Sequence, residues 1–150
     1  MSLENLVKIN KLNPHVSNAQ EVGRLLAAAA RNVTDSVAAG ISDETRFDAA
    51  YKAIMQCAVI GLFANGYRPS TTTPGHHQTV IQCLELTMGV TPAVWRVLDA
   101  LRKKRNLNDY DGNLIESASL TECIKQAKSL LETTTSWLQT NRPDLVADKK

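Results

Sequence analysis

Aromatic residues are scarce in this chain, with two tryptophans, three tyrosines and two phenylalanines among 150 residues. A core built without large rings must close on small ones, and the abundant alanines favour helices packed at short range. Cysteine is equally sparse. Cys57, Cys83 and Cys123 cannot all pair within one chain and lack the close spacing of a zinc site, so they are expected as buried thiols in a reducing compartment. No early apolar run follows the N-terminus, where Glu4 and Lys8 flank short hydrophobic pieces, so a secretory signal is not expected. The longest apolar run, 53–64 with Gln56 inside it, is too short to cross a bilayer, and a cytoplasmic protein without membrane contact is the expectation.

Other absences narrow the chemistry. There is no phosphate-cradling glycine pattern of Walker or Rossmann type and no nucleophile elbow, which removes nucleotide-hydrolysing folds and the serine-hydrolase arrangement. His76 and His77 are adjacent, so on a helix they diverge by about 100°, and no Glu or His follows at ligand spacing. Neither a metal nor a cofactor is therefore expected. A net charge of +2 is too small to argue for nucleic acid by itself, so any electrostatic case rests on local clustering. With 43% apolar and 21% charged residues the chain reads as one globular domain, long enough to bury about 68–70% of its unfolded surface.

No run of alternating hydrophobicity bounded by hairpin signals occurs, and helical periodicity dominates. Residues 1–17, with Asn13-Pro14, read as an irregular arm with at most a helical turn, docked through Leu3, Leu6 and Val7. The helical domain spans 18–140. Ser17 with Gln20 resembles a capping box for a first helix over 18–39, whose stripe is Val22, Leu25, Leu26, Ala29 and Val33. Ser42-Asp43-Glu44 starts a second helix that ends at Gly66 and is apolar all round from Ala53 to Ala64. A helix without a polar face is surrounded by others, which makes its polar members Arg46 and Gln56 noteworthy. A breaker-rich loop over 67–75 leads through His76-His77 to a third helix ended by Gly89. Thr91-Pro92 opens a fourth, running to about Tyr110, and Ser119 with Glu122 caps a fifth. After Asn141-Arg142-Pro143, residues 141–150 read as a polar, frayed tail. The expectation is an all-α, five-helix up-and-down bundle around a central apolar helix, essentially without strands.

One position breaks this pattern. Val94, Val97, Leu98 and Leu101 form a stripe at three- and four-residue spacing, and its next member is Arg105. A guanidinium on a core-facing side must find an anionic or carbonyl partner, which Asp109 could supply within the helix or a ligand could supply from outside. Arg102, Lys103 and Lys104 point elsewhere and, with Arg105, form a positive collar spread over about 300°. Such a run is usually a solvated helix end, and it is the one local cluster here that could form an RNA-facing surface. What remains open to this chain is acid–base chemistry without a cofactor, such as RNA cleavage by the neighbouring 2′-hydroxyl. That reaction needs a cation on the phosphate and groups to take and to supply a proton. His15, His76 and His77 are better matched to proton transfer near neutral pH than the tyrosines.

A helical bundle with Arg105-Asn106 on a late helix, preceded by Gly66-Tyr67-Arg68-Pro69, a threonine-rich loop and Gly75-His76-His77, resembles the HEPN superfamily (higher eukaryote and prokaryote nucleotide-binding domains). The resemblance covers most of 18–138. It implies a homodimer in which two motifs, each an arginine, a polar residue and a histidine a few positions on, meet in an RNA-cleaving cleft. It also implies a toxin–antitoxin or defence role, with a nucleotidyltransferase-like antitoxin as partner, or a non-catalytic nucleotide-binding or protein-interaction module. Carried onto this chain, the motif arginine is Arg105 and the polar residue Asn106, but the histidine position holds Tyr110. A phenol titrates near about 10 and is a weak base at neutral pH, so an attenuated ribonuclease is implied, with His76 or His77 as substitute imidazoles. Tyr110 is also where the resemblance would place nucleotidylation by an antitoxin.

Overall fold

In the computed structural model, residues 2–72, 75–112 and 114–146 are described, except for the side chains of 108–111. Among the described residues seven α-helices form an all-α bundle: α1 (Leu3–Lys8), α2 (Ala19–Ser36), α3 (Asp43–Ala64), α4 (His76–Gln82), α5 (Leu84–Met88), α6 (Pro92–Asp111) and α7 (Ser117–Asn141). The expected central helix is α3. Its first turn is fixed by Ser42, whose Oγ accepts from the Thr45 amide at 3.1 Å, and its buried residues run from Phe47 to Ala64. It packs against α2, α7, α4, α5 and α6. By length and composition α3 would suffice to cross a bilayer, contrary to the estimate from the 53–64 run, but 67% of its most apolar window is buried by the chain's own helices. Gly61 permits the approach of α5: a Cβ there would lie 2.8 Å from Thr87 Oγ1. All three cysteines are free and buried, and burial pushes the Cys57 thiol up to about 11 and Cys123 to about 12.

Four departures from the sequence expectation have local causes. Two three-residue strands do form, β1 (Leu12–Pro14) and β2 (Tyr67–Pro69), paired antiparallel with Leu12 opposite Pro69. The ladder is extended by His15 N–H to Gly66 O at 2.9 Å and Ser70 N–H to Lys11 O at 3.0 Å, so the arm carries α1 and a strand and seals the bundle through fully buried Leu12. Asn18 caps α2, accepting from the Glu21 amide, because Ser17 Oγ instead donates to the Glu21 carboxylate. The same displacement occurs at α7, which begins at Ser117 with Glu116 as its cap residue, while Ser119 donates to Glu116 Oε1. The expected third helix is divided at Cys83, whose carbonyl accepts from both Leu86 and Thr87 as one turn tightens into the next.

The tail is docked as far as it is described. Arg142 donates to the Ala64 carbonyl at the end of α3 and pairs with Asp144 at 2.8 Å. A 3₁₀ turn over Pro143–Leu145 then seats Leu145, 3% exposed, among Val22, Leu26, Ile60 and Leu138. Hydrophobic residues in a polar-looking segment are easily discounted, yet one leucine in a pocket is enough to order it.

A candidate phosphate-binding cleft around Arg105

The apolar stripe of α6 behaves as its spacing predicts up to Leu101, since Leu98 and Leu101 are buried and Arg105 follows them half-buried. Its partner comes from another helix. Arg105 Nε lies 3.3 Å from Asp48 Oδ1 on α3, a contact of charge whose angle falls outside hydrogen-bond geometry. The guanidinium carbon also sits 5.1 Å from the centre of the Tyr51 ring, within cation–π range. The expected intrahelical partner, Asp109, has its side chain outside the described residues, as does Tyr110, whose backbone continues α6.

Tyr51 joins Arg105 to a histidine. Its ring is buried, 2% exposed, and its hydroxyl lies 3.1 Å from His77 Nδ1 at the start of α4. Burial pushes the phenol up to about 12 against the pull of Arg105 and Arg102, so the hydroxyl keeps its proton. His77 is held below the ordinary imidazole value, first by burial and then by repulsion from His76, Arg105 and Arg102. At neutral pH it is therefore an uncharged imidazole. When Nδ1–H donates to the Tyr51 oxygen, Nε2 is left as a base; when the phenol donates to Nδ1, Nε2–H becomes a donor. Both states are useful beside a phosphate.

These groups open into one cleft of about 720 Å³. Asn32 and Asp35 of α2, Thr45, Asp48, Tyr51, Lys52 and Met55 of α3, His77 of α4 and Arg105 of α6 line it, with Ile41 at the α2–α3 connection. Lys52 is exposed, and Asp48 and Lys52 sit one turn apart on a helix that is otherwise largely apolar. That i, i+3, i+4, i+7 run of Asp48, Tyr51, Lys52 and Met55 was the signal available in the sequence for the missing half of the site. Of the two polar α3 residues singled out there, Arg46 is a staple: its Nε donates to the Ser36 carbonyl, satisfying the end of α2 at 2.9 Å. Gln56 accepts from Asn32 Nδ2 at 2.9 Å.

The remaining expected site residues are placed differently from one another. Arg102 is not a solvated collar member; its Nε donates to Asp99 Oδ1 at 2.8 Å and both side chains are largely buried. Lys103 approaches the same Asp99 at 3.8 Å, and Lys104 reaches Glu116 at 3.5 Å, both from exposed positions away from the cleft. Asn106 is half-buried and does not line the cleft. His76 stands edge-on to His77, with ring centres 4.6 Å apart, and does not line the cleft. His15 is elsewhere, bonded to Glu21 at 2.8 Å and tilted against Phe63. Among the described residues no three His, Cys, Asp or Glu side chains are grouped closely enough to hold an ion.

The class defined by this arrangement is a helical bundle with an open, mixed-charge cleft that combines a guanidinium with a neutral imidazole. No protein-family model, curated protein or solved structure matches the chain.

Proposed function

We propose that the cleft binds single-stranded RNA, with Arg105 holding a phosphate, and that the chain works in the cytoplasm as a HEPN-like homodimer. On this reading it is an attenuated, metal-independent endoribonuclease of a toxin–antitoxin or defence system, with a nucleotidyltransferase-like antitoxin as the partner to be sought. The observation that carries it is the meeting in one cleft of the Arg105 guanidinium, over the Tyr51 ring, and the neutral His77 imidazole, at the Tyr51 hydroxyl. The guanidinium offers paired donors to phosphate oxygens. His77 Nε2, unprotonated when Nδ1–H faces Tyr51, takes the proton of a 2′-hydroxyl as its oxygen attacks phosphorus. The P–O5′ bond then breaks, leaving a 2′,3′-cyclic phosphate, and the 5′-oxygen takes a proton from water or from Tyr110.

A second reading, a non-catalytic nucleotide-binding or protein-interaction module, draws support from Tyr110 at the motif histidine position and from the acid beside each base of 102–105. Incubation of a mixed RNA pool with purified protein in excess EDTA, beside binding of labelled RNA and a solution mass, separates the readings. Arg105-dependent cleavage by a dimer is expected. Binding without cleavage moves the assignment to the second reading, and a folded wild type that does neither overturns both RNA roles.

A further inference from the structure

Next to the Arg105 cleft, and continuous with it through Asn32, Asp35 and Lys52, lies a second pocket of about 510 Å³ on the face formed by α2 and α3. Ala28, Arg31 and Gln56 complete the part that matters here. The half-buried Asn32 and Gln56 side chains share one hydrogen bond across the two helices. A carboxamide carries two N–H donors and a carbonyl with two lone pairs. One shared bond therefore leaves an uncommitted carbonyl on one residue and an uncommitted NH₂ on the other, whichever of the two donates. Both residues line the pocket, so a carboxamide acceptor and a carboxamide donor are available among its lining side chains. That is the complement of a nucleobase edge, and single-stranded RNA is the nucleic acid whose edges are free to be read.

We propose that this pocket is a base-recognition subsite, in which Asn32 and Gln56 read the hydrogen-bonding edge of an unstacked nucleobase while Lys52 and Arg105 hold the neighbouring phosphates. The inference rests on the RNA-binding reading above and adds sequence preference to it. Lys52 is at the junction of the two pockets, one turn or about 6 Å along α3 from Gln56, which suits a backbone leaving the Arg105 cleft with the next base turned into the second pocket. Ala28 keeps the wall low, and Arg31 is exposed at its edge, where a guanidinium can stack on the base.

The test is fluorescence-anisotropy binding of four labelled RNA oligomers that differ only in one base, with wild type, Asn32→Ala, Gln56→Ala and Gln56→Glu, each checked for folding by circular dichroism. Wild type is expected to separate the best and worst base by at least about fivefold, the lower end of what paired base contacts supply. The alanine variants should compress that spread to under about threefold. Gln56→Glu, which replaces amide by carboxylate at constant shape, should change the order of the four bases, a result that mere loosening of α2 against α3 would not produce. An unchanged ratio among the four oligomers in folded Gln56→Glu, or a wild type that binds all four equally, overturns the subsite while leaving RNA binding intact. Absence of RNA binding by folded wild type removes the RNA reading and the subsite together.

Discussion

Arg105→Ala should give a folded protein that has lost its grip on RNA, and the structure sets how much stability can go with it. The Asp48 contact is made by side chains 30% and 47% exposed, so water screens it and about 0.2–1 kcal/mol is the appropriate scale. The cation–π contact over the buried Tyr51 ring adds about 0.5–1 kcal/mol, since the guanidinium itself stays 30% exposed. A loss near 1–2 kcal/mol is small against a domain stability of about 5–15 kcal/mol, and for a chain of this length it lowers Tm by about 2–8 °C. A fully buried arginine stranding its partner would cost about 3–5 kcal/mol, or about 6–20 °C. Thermal melts of Arg105→Ala, Asp48→Ala and the double variant measure the pair directly, and their coupling should not exceed about 1 kcal/mol. RNA affinity should fall in Arg105→Ala, whereas Asp48→Asn, which removes the competing carboxylate, should raise it. A melt lowered by more than about 12 °C would make Arg105 a structural residue. Full RNA affinity in a folded Arg105→Ala would refute its role in the cleft.

Tyr51→Phe keeps the ring under Arg105 and deletes only the hydroxyl that faces His77, so Tm should fall by the value of about one hydrogen bond, 0.5–1.5 kcal/mol, with RNA affinity nearly unchanged and cleavage reduced. Single-turnover cleavage beside anisotropy checks this, and equal losses in both would mean that Tyr51 acts through packing. His77 has a folded-state value below its ordinary 6.5, so between the two values the unfolded chain binds more protons. Stability should be level above about pH 6.5 and decline as pH drops below it, and denaturant titrations of His77→Gln at pH 7.5, 6.5 and 5.5 should show that decline flattened. Glu21, held low mainly by its bond to His15, contributes in a separate window, present above about pH 4.5 and lost below it. Leu145→Ala removes a side chain that is 3% exposed and should cost about 2–3 kcal/mol in a thermal melt, whereas a frayed tail would give no change.

Periodicity was a good guide wherever one helix face is buried by its neighbours, as for α2, α3, α6 and α7, and the local stop and start signals at Ser42, Gly89 and Pro92 are where the helices end and begin. It was blind to β1 and β2. Strands of three residues are too short for alternation, and two of their six positions are prolines; what makes them strands is pairing between segments far apart in the chain. Cap residues were displaced where a serine had an alternative acceptor, as Ser17 has in Glu21. The site was half legible. An arginine continuing an apolar stripe announced a partner, but periodicity within α6 cannot say which helix lies opposite, so Asp109 stood in for Asp48. Tyr51 belongs to the buried side of α3, where spacing alone marks a core residue, while its hydroxyl serves the cleft.

The acid beside each base in 102–105 changes what the positive run can do. Arg102 and Lys103 share Asp99, Lys104 reaches Glu116 and Arg105 meets Asp48, so α6 offers no broad positive field to draw a polyanion. Under the proposed function, RNA binding then rests on few phosphates held at close range, in a cleft where Arg105 and Lys52 are the cations and Asp48 and Asp35 the counterweights. A phosphate entering beside Arg105 competes with Asp48 for the guanidinium, and the half-exposed carboxylate can turn to water when displaced. That exchange lowers affinity but suppresses indiscriminate binding, since a ligand must offer more than charge to win it. The base-reading pair Asn32 and Gln56, one step along the same groove, is the natural source of that extra contact. On the proposed RNA-binding reading the acids are part of the site, and discrimination between RNA sequences should weaken when they are removed.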